Sequence, residues 1–102
     1  MNYPEIPEPI DFEWDQNNEP KIIKKHGINK VEAEQVFFNF HLAKPDDKHS
    51  NRESRHTLIG VTNFNRVLFI SFTVRSNKIR IISARAADRQ ERRIYEEAQK
   101  NS

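Results

Sequence analysis

The sequence predicts an α+β fold in which helices come first and an antiparallel sheet follows. Apolar residues at helical spacing occupy the region before residue 41, and three β-branched and aromatic runs follow one another between residues 56 and 84. A last amphipathic stretch closes the chain. Strands that are grouped after helices favour an antiparallel sheet over an alternating parallel one. The expected order is a short strand, two N-terminal helices, three or more strands and a C-terminal helix.

The N-terminal residues 1–11 are expected to form an acidic, extended leader. Prolines at positions 4, 7 and 9 lack a backbone donor and disfavour helix in the residue before each of them. The segment FEWD at residues 12–15 then alternates apolar and acidic side chains, as a short half-buried strand does. A single domain is predicted over residues 12–100.

Two helices are expected between residues 15 and 40. Asp15 caps the first, which runs to His26 and ends at Gly27. The second begins with a capping box formed by Asn29 and Glu32. The face it buries carries Ala33, Val36, Phe37 and Phe40.

The sheet is expected in the second half of the chain. A polar loop is predicted over residues 44–54, and residues 75–77 are predicted to form a hairpin turn. The continuously apolar run 67–70 predicts a central strand that is buried on both faces. The strands are predicted at residues 56–62, 67–73 and 79–84.

The last strand and the final helix are also predicted by spacing. Period-2 alternation puts Arg80, Ile82 and Ala84 on one face of the strand, and Ile79, Ile81 and Ser83 on the other. A second capping box, Asp88 with Glu91, begins a C-terminal helix whose apolar side includes Ile94.

Composition excludes several classes of protein. The 102 residues contain no cysteine, which excludes disulfides, a thiolate zinc site and a cysteine nucleophile. No apolar stretch approaches the roughly 18 to 20 residues that cross a bilayer. The start of the sequence lacks the pattern of a signal peptide. A cytoplasmic protein with no membrane association is expected.

Charge is divided unevenly along the chain. Residues 1–20 contain six acids and no Lys or Arg, whereas the remaining residues hold all 17 basic side chains against nine acids. The densest basic stretch, residues 75–93, has seven Lys or Arg and two acids. This asymmetry favours a polyanion as ligand, and the alternative is an evenly charged, solvated surface.

Arg80 and His26 are the strongest candidates for chemistry. A guanidinium held on a packed strand matches a phosphate and its phosphorane-like transition state, although Arg80 is also placed to pair with Glu13 or Glu91. A histidine at a helix end transfers protons near neutral pH, and its alternative role is to cap the last carbonyls of the helix.

Two other kinds of site are disfavoured. With only two glycines, the chain has no glycine-rich phosphate loop. His41, His49 and His56 lack HxxH or HExxH spacing, so no metal site is expected, including one that combines His49 with Asp46 and Asp47.

Six short motifs follow one another along the chain, each of them weak singly. They are FEWD at 12–15, KHG at 25–27, the Arg-to-Gly spacing over 55–60, TVR at 73–75, RIISAR at 80–85 and ERRIY at 91–95. In this order and spacing they make residues 11–97 similar to the BrnT family of toxins.

The resemblance implies a RelE-like fold and a ribonuclease toxin of a bacterial type II toxin–antitoxin module. Such a toxin inhibits translation by cleaving RNA. The implied partner is a BrnA-like ribbon-helix-helix antitoxin, through which the complex binds operator DNA. The order of elements inferred from periodicity independently agrees with this fold.

On this hypothesis RNA is cleaved without a metal or cofactor: a ribose 2′-OH attacks the adjacent phosphate and leaves a 2′,3′-cyclic phosphate. We assign Arg80 and Arg55 to the phosphate, His26 to proton transfer and Lys25 to electrostatic support. The residues expected to bind the rest of the RNA are Arg75, Lys78, Arg85, Arg89 and Arg92. The antitoxin is expected to cover this basic cleft.

Two alternatives stay open. The chain has Ile22, Ser54 and Phe72 where the family pattern has Asn, an acid and Tyr. These departures favour a non-catalytic nucleic-acid-binding or regulatory subunit that acts in complex with a DNA-binding antitoxin. The other alternative is a basic structural protein that binds an acidic partner.

Overall fold

A computed structural model of the chain describes residues 6–19 and 27–102. These residues form one four-stranded antiparallel sheet in the order β1-β2-β3-β4, with a helix before it and a helix after it. The predicted α+β class is confirmed. The elements are α1 (Lys30–Gln35), β1 (His41–Pro45), a 3-10 turn (Asp47–His49), β2 (Arg55–Val61), β3 (Val67–Arg75), β4 (Lys78–Ala86) and α2 (Arg89–Lys100).

The first of the two predicted N-terminal helices lies mostly outside the described residues. Within them, residues 16–18 form a turn and Glu19 alone is helical. Ile22, Lys25 and His26 fall in the undescribed segment 20–26. This helix therefore stays a prediction, and α1 is the helix that the structure describes before the sheet.

Helix α1 begins where its capping box predicts but ends early. The Glu32 amide donates to Asn29 Oδ1 (2.9 Å), and the Asn29 amide donates to Glu32 Oε1 (3.3 Å). The helix ends at Gln35, so Phe37 and Phe40 of the expected helical face lie beyond its end. The following residues are largely aromatic or β-branched, with low helix propensity. In addition, the Asn39 side-chain Nδ2 donates to the Val61 carbonyl (2.8 Å), which directs the chain into the sheet.

Strand β1 was not predicted, and its last two residues, Lys44 and Pro45, fall in the segment that was expected to be a loop. It pairs antiparallel with β2, from His41 opposite Gly60 to Pro45 opposite His56. The apolar pattern of this strand is weak because it lies at the edge of the sheet. Pro45 is compatible with an edge position, where its missing donor leaves no ladder bond unmade.

The core lies between α1 and one face of the sheet, which we call the inner face. Its fully buried side chains come from both layers, and rings pack edge-to-face across it, with Phe37 5.2 Å from Phe72 between centroids. The members of this core are Ile28, Ala33, Val36, Phe37, Leu58, Leu68, Ile70, Phe72, Ile79, Ile81 and Ala84.

A β-bulge in β4 changes which residues face the core. Ser71 lies opposite Ser83 and Phe72 lies opposite Ile81, so Ile82 is left without a partner on β3. The predicted face assignment holds for Ile79, Ile81 and Arg80 but is wrong for the residues after the bulge. Ala84 turns inward, fully buried opposite Ile70, while Ser83 is exposed on the opposite, outer face.

Strand β3 is central but is not buried on both faces, so that prediction is also wrong. Leu68 and Ile70 are fully buried on the inner face, whereas Val67 and Phe69 are only half-buried. The Phe69 ring lies on the outer face beneath the Arg85 guanidinium, 4.3 Å from its centroid. A long cationic side chain thus covers the ring where a second layer was expected.

Helix α2 begins at the predicted capping box, in which the Glu91 amide donates to Asp88 Oδ1 (2.8 Å) and the Asp88 amide to Glu91 Oε1 (2.9 Å). Its buried anchor is Tyr95, whose ring lies 5.7 Å from that of Phe40. Ile94, expected on the apolar side, is 48% exposed. None of the helices in the described ranges has the length and apolar content of a membrane span.

The FEWD segment adds a short parallel contact at the free edge of β4. The Glu13 amide donates to the Ile79 carbonyl and the Ile79 amide to the Asp11 carbonyl, each at 2.8 Å. Phe12 and Trp14 pack against the core, as their alternation predicts. Ile6 and Ile10 of the expected leader also contact the core. The division into a leader at 1–11 and a domain at 12–100 stays a prediction.

The core predicts a contrast between two phenylalanines. Phe72→Ala removes a fully buried ring and should lower the free energy of unfolding by about 3 to 5 kcal/mol. Phe64→Ala removes a ring that is 85% exposed and should change it by less than about 0.5 kcal/mol. Urea unfolding of both variants measures these values, and equal losses would contradict the assignment of the core.

Candidate functional site

The outer face of the sheet carries the polar residues that the core excludes. Cross-strand pairing places Arg55 opposite Thr73 and Thr73 opposite Arg80, so the two arginines share one row. In the next row Thr57, Ser71 and Ser83 bring three hydroxyl groups to the same surface. The ladder thus unites on one face residues that lie far apart in the sequence.

Three grooves lie along this surface. The central groove, of about 460 Å³, includes Lys44, Arg55, Thr57, Ser71 and Ser83, with Asp46, Asp47 and His49 at its rim. The arginine groove, of about 520 Å³, includes Asn51, Arg52, Glu53 and Arg75. The helix groove, of about 540 Å³, lies between the sheet and α2 and includes Leu42, Ile59, Gln90 and Ile94.

The three grooves share lining residues. His49 and Arg55 line both the central groove and the arginine groove. Lys44, Thr57 and Phe69 line both the central groove and the helix groove. Together the grooves form a trough that crosses the sheet, with Arg55 at one junction and Lys44 at the other.

Arg55 is a predicted site residue and lies at the start of β2. Within the described ranges, no carboxylate lies within salt-bridge distance of its guanidinium or of the Lys44 ammonium. Its backbone is held on both sides, since its amide donates to Ser50 Oγ (2.9 Å) and its carbonyl accepts from the Asp46 amide (2.8 Å). An anion that enters the trough therefore meets a guanidinium that extends from a fixed stretch of backbone and has no carboxylate partner among the described residues.

Arg80, one of the two strongest candidates from the sequence, is already bound to two carboxylates. Its Nη1 donates to Glu13 Oε1 and to Asp15 Oδ2, each at 2.9 Å, and its Nη2 donates to Asp15 Oδ1 at 3.1 Å. Only 10% of the side chain is exposed. The arrangement matches the pairing with Glu13 that the sequence offered as an alternative, and it joins the FEWD segment to β4.

The contact between Arg80 and Asp15 shifts the pKa of each group in the direction that favours its charged form. The hydrogen bond from Arg80 lowers the pKa of Asp15 below 3.8, assisted by the backbone amide of Asn17. In turn, the hydrogen bond to Asp15 raises the pKa of Arg80, against the smaller opposing effect of burial. Arg80 is thus a structural cation in the resting protein.

Arg85 makes a second carboxylate fork. Its Nη1 and Nη2 donate to the two oxygens of Glu91 at 2.7 Å and 2.9 Å, and its guanidinium lies over the Phe69 ring. The hydrogen bond from Arg85 lowers the pKa of Glu91. Since Glu91 also belongs to the capping box of α2, this pair fixes the start of the helix against the sheet.

The other predicted RNA-binding residues are more exposed. Arg75 Nε donates to Glu53 (3.0 Å), and Lys78 Nζ lies 3.8 Å from Asp11. Arg92 donates to the Ala87 carbonyl (3.0 Å), while Arg89 is exposed at the start of α2. Arg75 borders the arginine groove, whereas neither helical arginine lines any of the three grooves. The basic stretch is therefore divided between several surfaces.

The histidines within the described ranges have three different environments. His41 Nδ1 contacts the Asn39 carbonyl (2.9 Å), and His56 packs on Phe72, where burial lowers its pKa. His49 is exposed at the trough, with Nδ1 2.9 Å from Asp46 Oδ2. Across residues 6–19 and 27–102, no three His, Asp or Glu side chains lie close enough together to hold a metal ion. His26 and Lys25 lie outside the described residues, so their placement stays a prediction.

Lys44, Asp46 and His49 are trough residues that neither the composition nor the motifs of the sequence predict. The segment 44–54 looked like a solvated loop because it is polar and contains Pro45 and two adjacent aspartates. One signal was available, since Asp46 and His49 are three residues apart, within reach of each other across a single turn. Their proximity to Arg55 arises from strand pairing, which local spacing does not predict.

The motifs and the sheet agree with a comparison against family models. The model described as "Ribonuclease toxin, BrnT, of type II toxin-antitoxin system" matches residues 14–91. The chain belongs to the BrnT ribonuclease toxin family. The matched region of this BrnT protein includes Arg55 and Arg80 together with the undescribed Lys25 and His26.

A solved structure supports the BrnT fold. The crystal structure of the ribonuclease toxin BrnT from Brucella abortus superposes with a TM-score of 0.56 at 23% sequence identity, covering 78% of this chain and 99% of that one. No curated protein matches the sequence. The resemblance inferred from six short motifs is thereby confirmed at the level of the family and the fold.

The Arg80 ion pairs predict how stability depends on pH. Because the folded-state pKa of Asp15 is lowered, its carboxylate stabilises the fold fully above the unfolded value of 3.8 and loses this effect as pH falls through the lower folded value. Wild type should therefore exceed Asp15→Asn in stability near pH 7, with the difference closing in acid.

Urea unfolding between about pH 7 and pH 3 measures this difference. Asp47→Asn is the matched control, since Asp47 is exposed and makes no ion pair with the described residues. A gap between wild type and Asp15→Asn that stays constant throughout this range would contradict the proposed origin of the stabilisation.

Proposed function

We propose that this BrnT family member is a metal-independent endoribonuclease that inhibits translation by cleaving RNA. The observation that carries the proposal is Arg55, a cation without a carboxylate partner among the described residues, at the junction of two grooves. A trough that crosses the sheet suits a single strand, whose successive phosphates and bases need a continuous surface. Membership of the BrnT family supports RNA as the strand that the trough binds and cleaves.

The reaction that we propose is an internal transesterification. The ribose 2′-OH attacks the adjacent phosphorus, the bond to the 5′ oxygen breaks, and a 2′,3′-cyclic phosphate remains. The step needs a base for the 2′-OH, donors for the charged phosphorane and an acid for the leaving oxygen. All three functions are within the capacity of side chains, so the proposal requires no cofactor.

Arg55 is the first phosphate ligand in this scheme. Arg80 lies in the same row two strands away, at a backbone separation of roughly 10 Å. Three of the five N–H groups of its guanidinium already donate to Glu13 and Asp15, so a phosphate competes with these carboxylates for it. We therefore assign Arg80 to a phosphate contact that forms upon RNA binding, secondary to that of Arg55.

Proton transfer to the leaving oxygen is assigned to His26, with Lys25 as electrostatic support. Both residues belong to the KHG motif and lie outside the described part of the chain. The bound RNA continues toward Arg75, Lys78 and Arg85, with Arg89 and Arg92 contributing long-range attraction from α2. Along this path the Lys and Arg side chains exchange carboxylate partners for RNA phosphates. We therefore expect the affinity for RNA to fall as the salt concentration rises.

We further propose that the toxin acts in the cytoplasm under the control of an antitoxin. The family belongs to type II toxin–antitoxin systems, and a BrnA-like ribbon-helix-helix protein is the proposed partner. Such a partner would bind operator DNA and bring the toxin to it. Coverage of the trough would neutralise the toxin by excluding RNA from Arg55.

Arg55→Ala tests the phosphate assignment. Removal of a positioned cation from a developing charge should lower the rate of RNA cleavage by on the order of 10² to 10³-fold. Arg93→Ala is the matched control, because it also removes one guanidinium but from an exposed site outside the grooves. Cleavage is measured on two substrates. The first is free end-labelled RNA in EDTA, and the second is RNA on translating ribosomes without EDTA.

Equal cleavage by the two arginine variants would remove Arg55 from the mechanism. The product ends supply a separate check, since wild type should leave a 2′,3′-cyclic phosphate. Cleavage of free RNA that EDTA abolishes would show that the chemistry depends on a metal ion.

His26→Ala tests the proton-transfer assignment. A positioned acid or base contributes on the order of 10² to 10⁴-fold, so cleavage should fall by that factor while the thermal unfolding midpoint changes little. Circular dichroism of the same sample serves as the folding control. Undiminished cleavage by a folded His26→Ala protein would exclude His26 from the reaction.

A non-catalytic nucleic-acid-binding or regulatory subunit is the second candidate. The observation that favours it is the neutralisation of Arg75, Arg80 and Arg85 by carboxylates of the same chain. On this alternative RNA binding falls steeply with salt, but wild type leaves both free and ribosome-bound RNA intact.

A further inference from the structure

His49 and Asp46 form a hydrogen-bonded pair at the rim of the trough. His49 Nδ1 lies 2.9 Å from Asp46 Oδ2, and the His49 amide donates to the Asp46 carbonyl at 3.3 Å. The Asp46 side chain is 19% exposed, whereas that of His49 is 59% exposed. The carboxylate is thus partly enclosed while the imidazole remains open to a ligand.

The turn that carries this pair is tied to Arg55. Ser50 Oγ donates to the Asp46 carbonyl (2.6 Å) and accepts from the Arg55 amide (2.9 Å). The Asp46 amide donates to the Arg55 carbonyl (2.8 Å). These bonds tie the backbone of the turn that carries His49 and Asp46 to the backbone of Arg55. His49 and Arg55 are also the two residues that line both the central and the arginine grooves.

The hydrogen bond to Asp46 selects the tautomer of His49. An ionised carboxylate only accepts hydrogen bonds, so the hydrogen of the neutral imidazole resides on Nδ1. Nε2 is then the nitrogen with a free lone pair. A carboxylate in this position also holds the imidazole ring in a fixed orientation.

We infer that His49 is the general base of the reaction, oriented by Asp46 and lining the same two grooves as the phosphate ligand Arg55. The inference rests on the proposed ribonuclease function, and it supplies the base that the motif residues leave unassigned. The 2′-OH proton passes to Nε2 of His49, the bond from O2′ to phosphorus forms, and the bond to O5′ breaks. His26 donates the proton that the leaving O5′ accepts, so protons and electrons balance.

His49→Gln tests the inference, with Lys48→Ala as the matched control on the same turn. Lys48 is exposed and lines none of the three grooves, so its removal should leave cleavage unchanged. His49→Gln should lower kcat by on the order of 10² to 10⁴-fold. Affinity for an RNA analogue with a 2′-deoxyribose at the cleavage position should change by less than about twofold, because Arg55 is retained.

A modified substrate separates a base from an acid. RNA with sulfur in place of the 5′ oxygen at the cleavage position has a thiolate leaving group, which departs without a proton. A protein that lacks its acid recovers activity on this substrate, whereas one that lacks its base does not. His49→Gln should stay impaired and His26→Ala should recover.

The outcomes separate the two proposals. If wild type cleaves RNA and His49→Gln cleaves equally well, His49 is not the base, and the ribonuclease function stands without it. Recovery of His49→Gln on the sulfur substrate overturns the assignment as a base in favour of an acid. If wild type cleaves neither free nor ribosome-bound RNA, the proposed function fails, and the inference fails with it.

Discussion

The contact of Arg80 with Glu13 and Asp15 is the interaction on which the arrangement of this protein depends. One buried guanidinium binds two carboxylates of the FEWD segment and holds that segment against the free edge of β4. The alternate residues, Phe12 and Trp14, are thereby directed into the core. The Trp14 indole also donates to Glu34 on α1 (2.7 Å), so a single cluster links the N-terminal segment, the sheet and the helix. Breaking such a pair by removing one partner leaves a charge without its partner, which is costly where the site is desolvated.

The same contact limits what Arg80 does in recognition. An arginine that already binds two carboxylates of its own chain positions its neighbours. Arg55 and Lys44, which lie outside the ion pairs of the described residues, meet an incoming anion first. Of the seven basic residues in the stretch 75–93, several serve to fix loops, helix α2 or the N-terminal segment. The small net charge of +2 is thus distributed as specific pairs and not as one uniformly basic face.

The features of the fold that sequence predicts well are local ones. Both capping boxes are correct because their partners are three residues apart and their hydrogen bonds form within one turn. The bulge at Ile82 and edge strand β1 were not predicted, because each is determined by a partner strand that is distant in sequence. One unpaired residue was enough to exchange the faces of Ser83 and Ala84. The candidate site follows the same division: its arginines were predicted from composition and motif, whereas the junction of His49, Asp46 and Arg55 is created by the pairing of β1 with β2.

The central claim is that RNA binds in the trough on the outer face, at Arg55, and not on the exposed arginines of α2. The most direct test is to titrate isotopically labelled protein with an RNA analogue that carries 2′-deoxyribose at the cleavage position, and to follow backbone and side-chain resonances by NMR. We expect the largest changes at Lys44, His49 and Arg55, with smaller ones at the hydroxyl row of Thr57, Ser71 and Ser83. Changes confined to Arg89, Arg92 and Arg93, with the trough unaffected, would contradict the account.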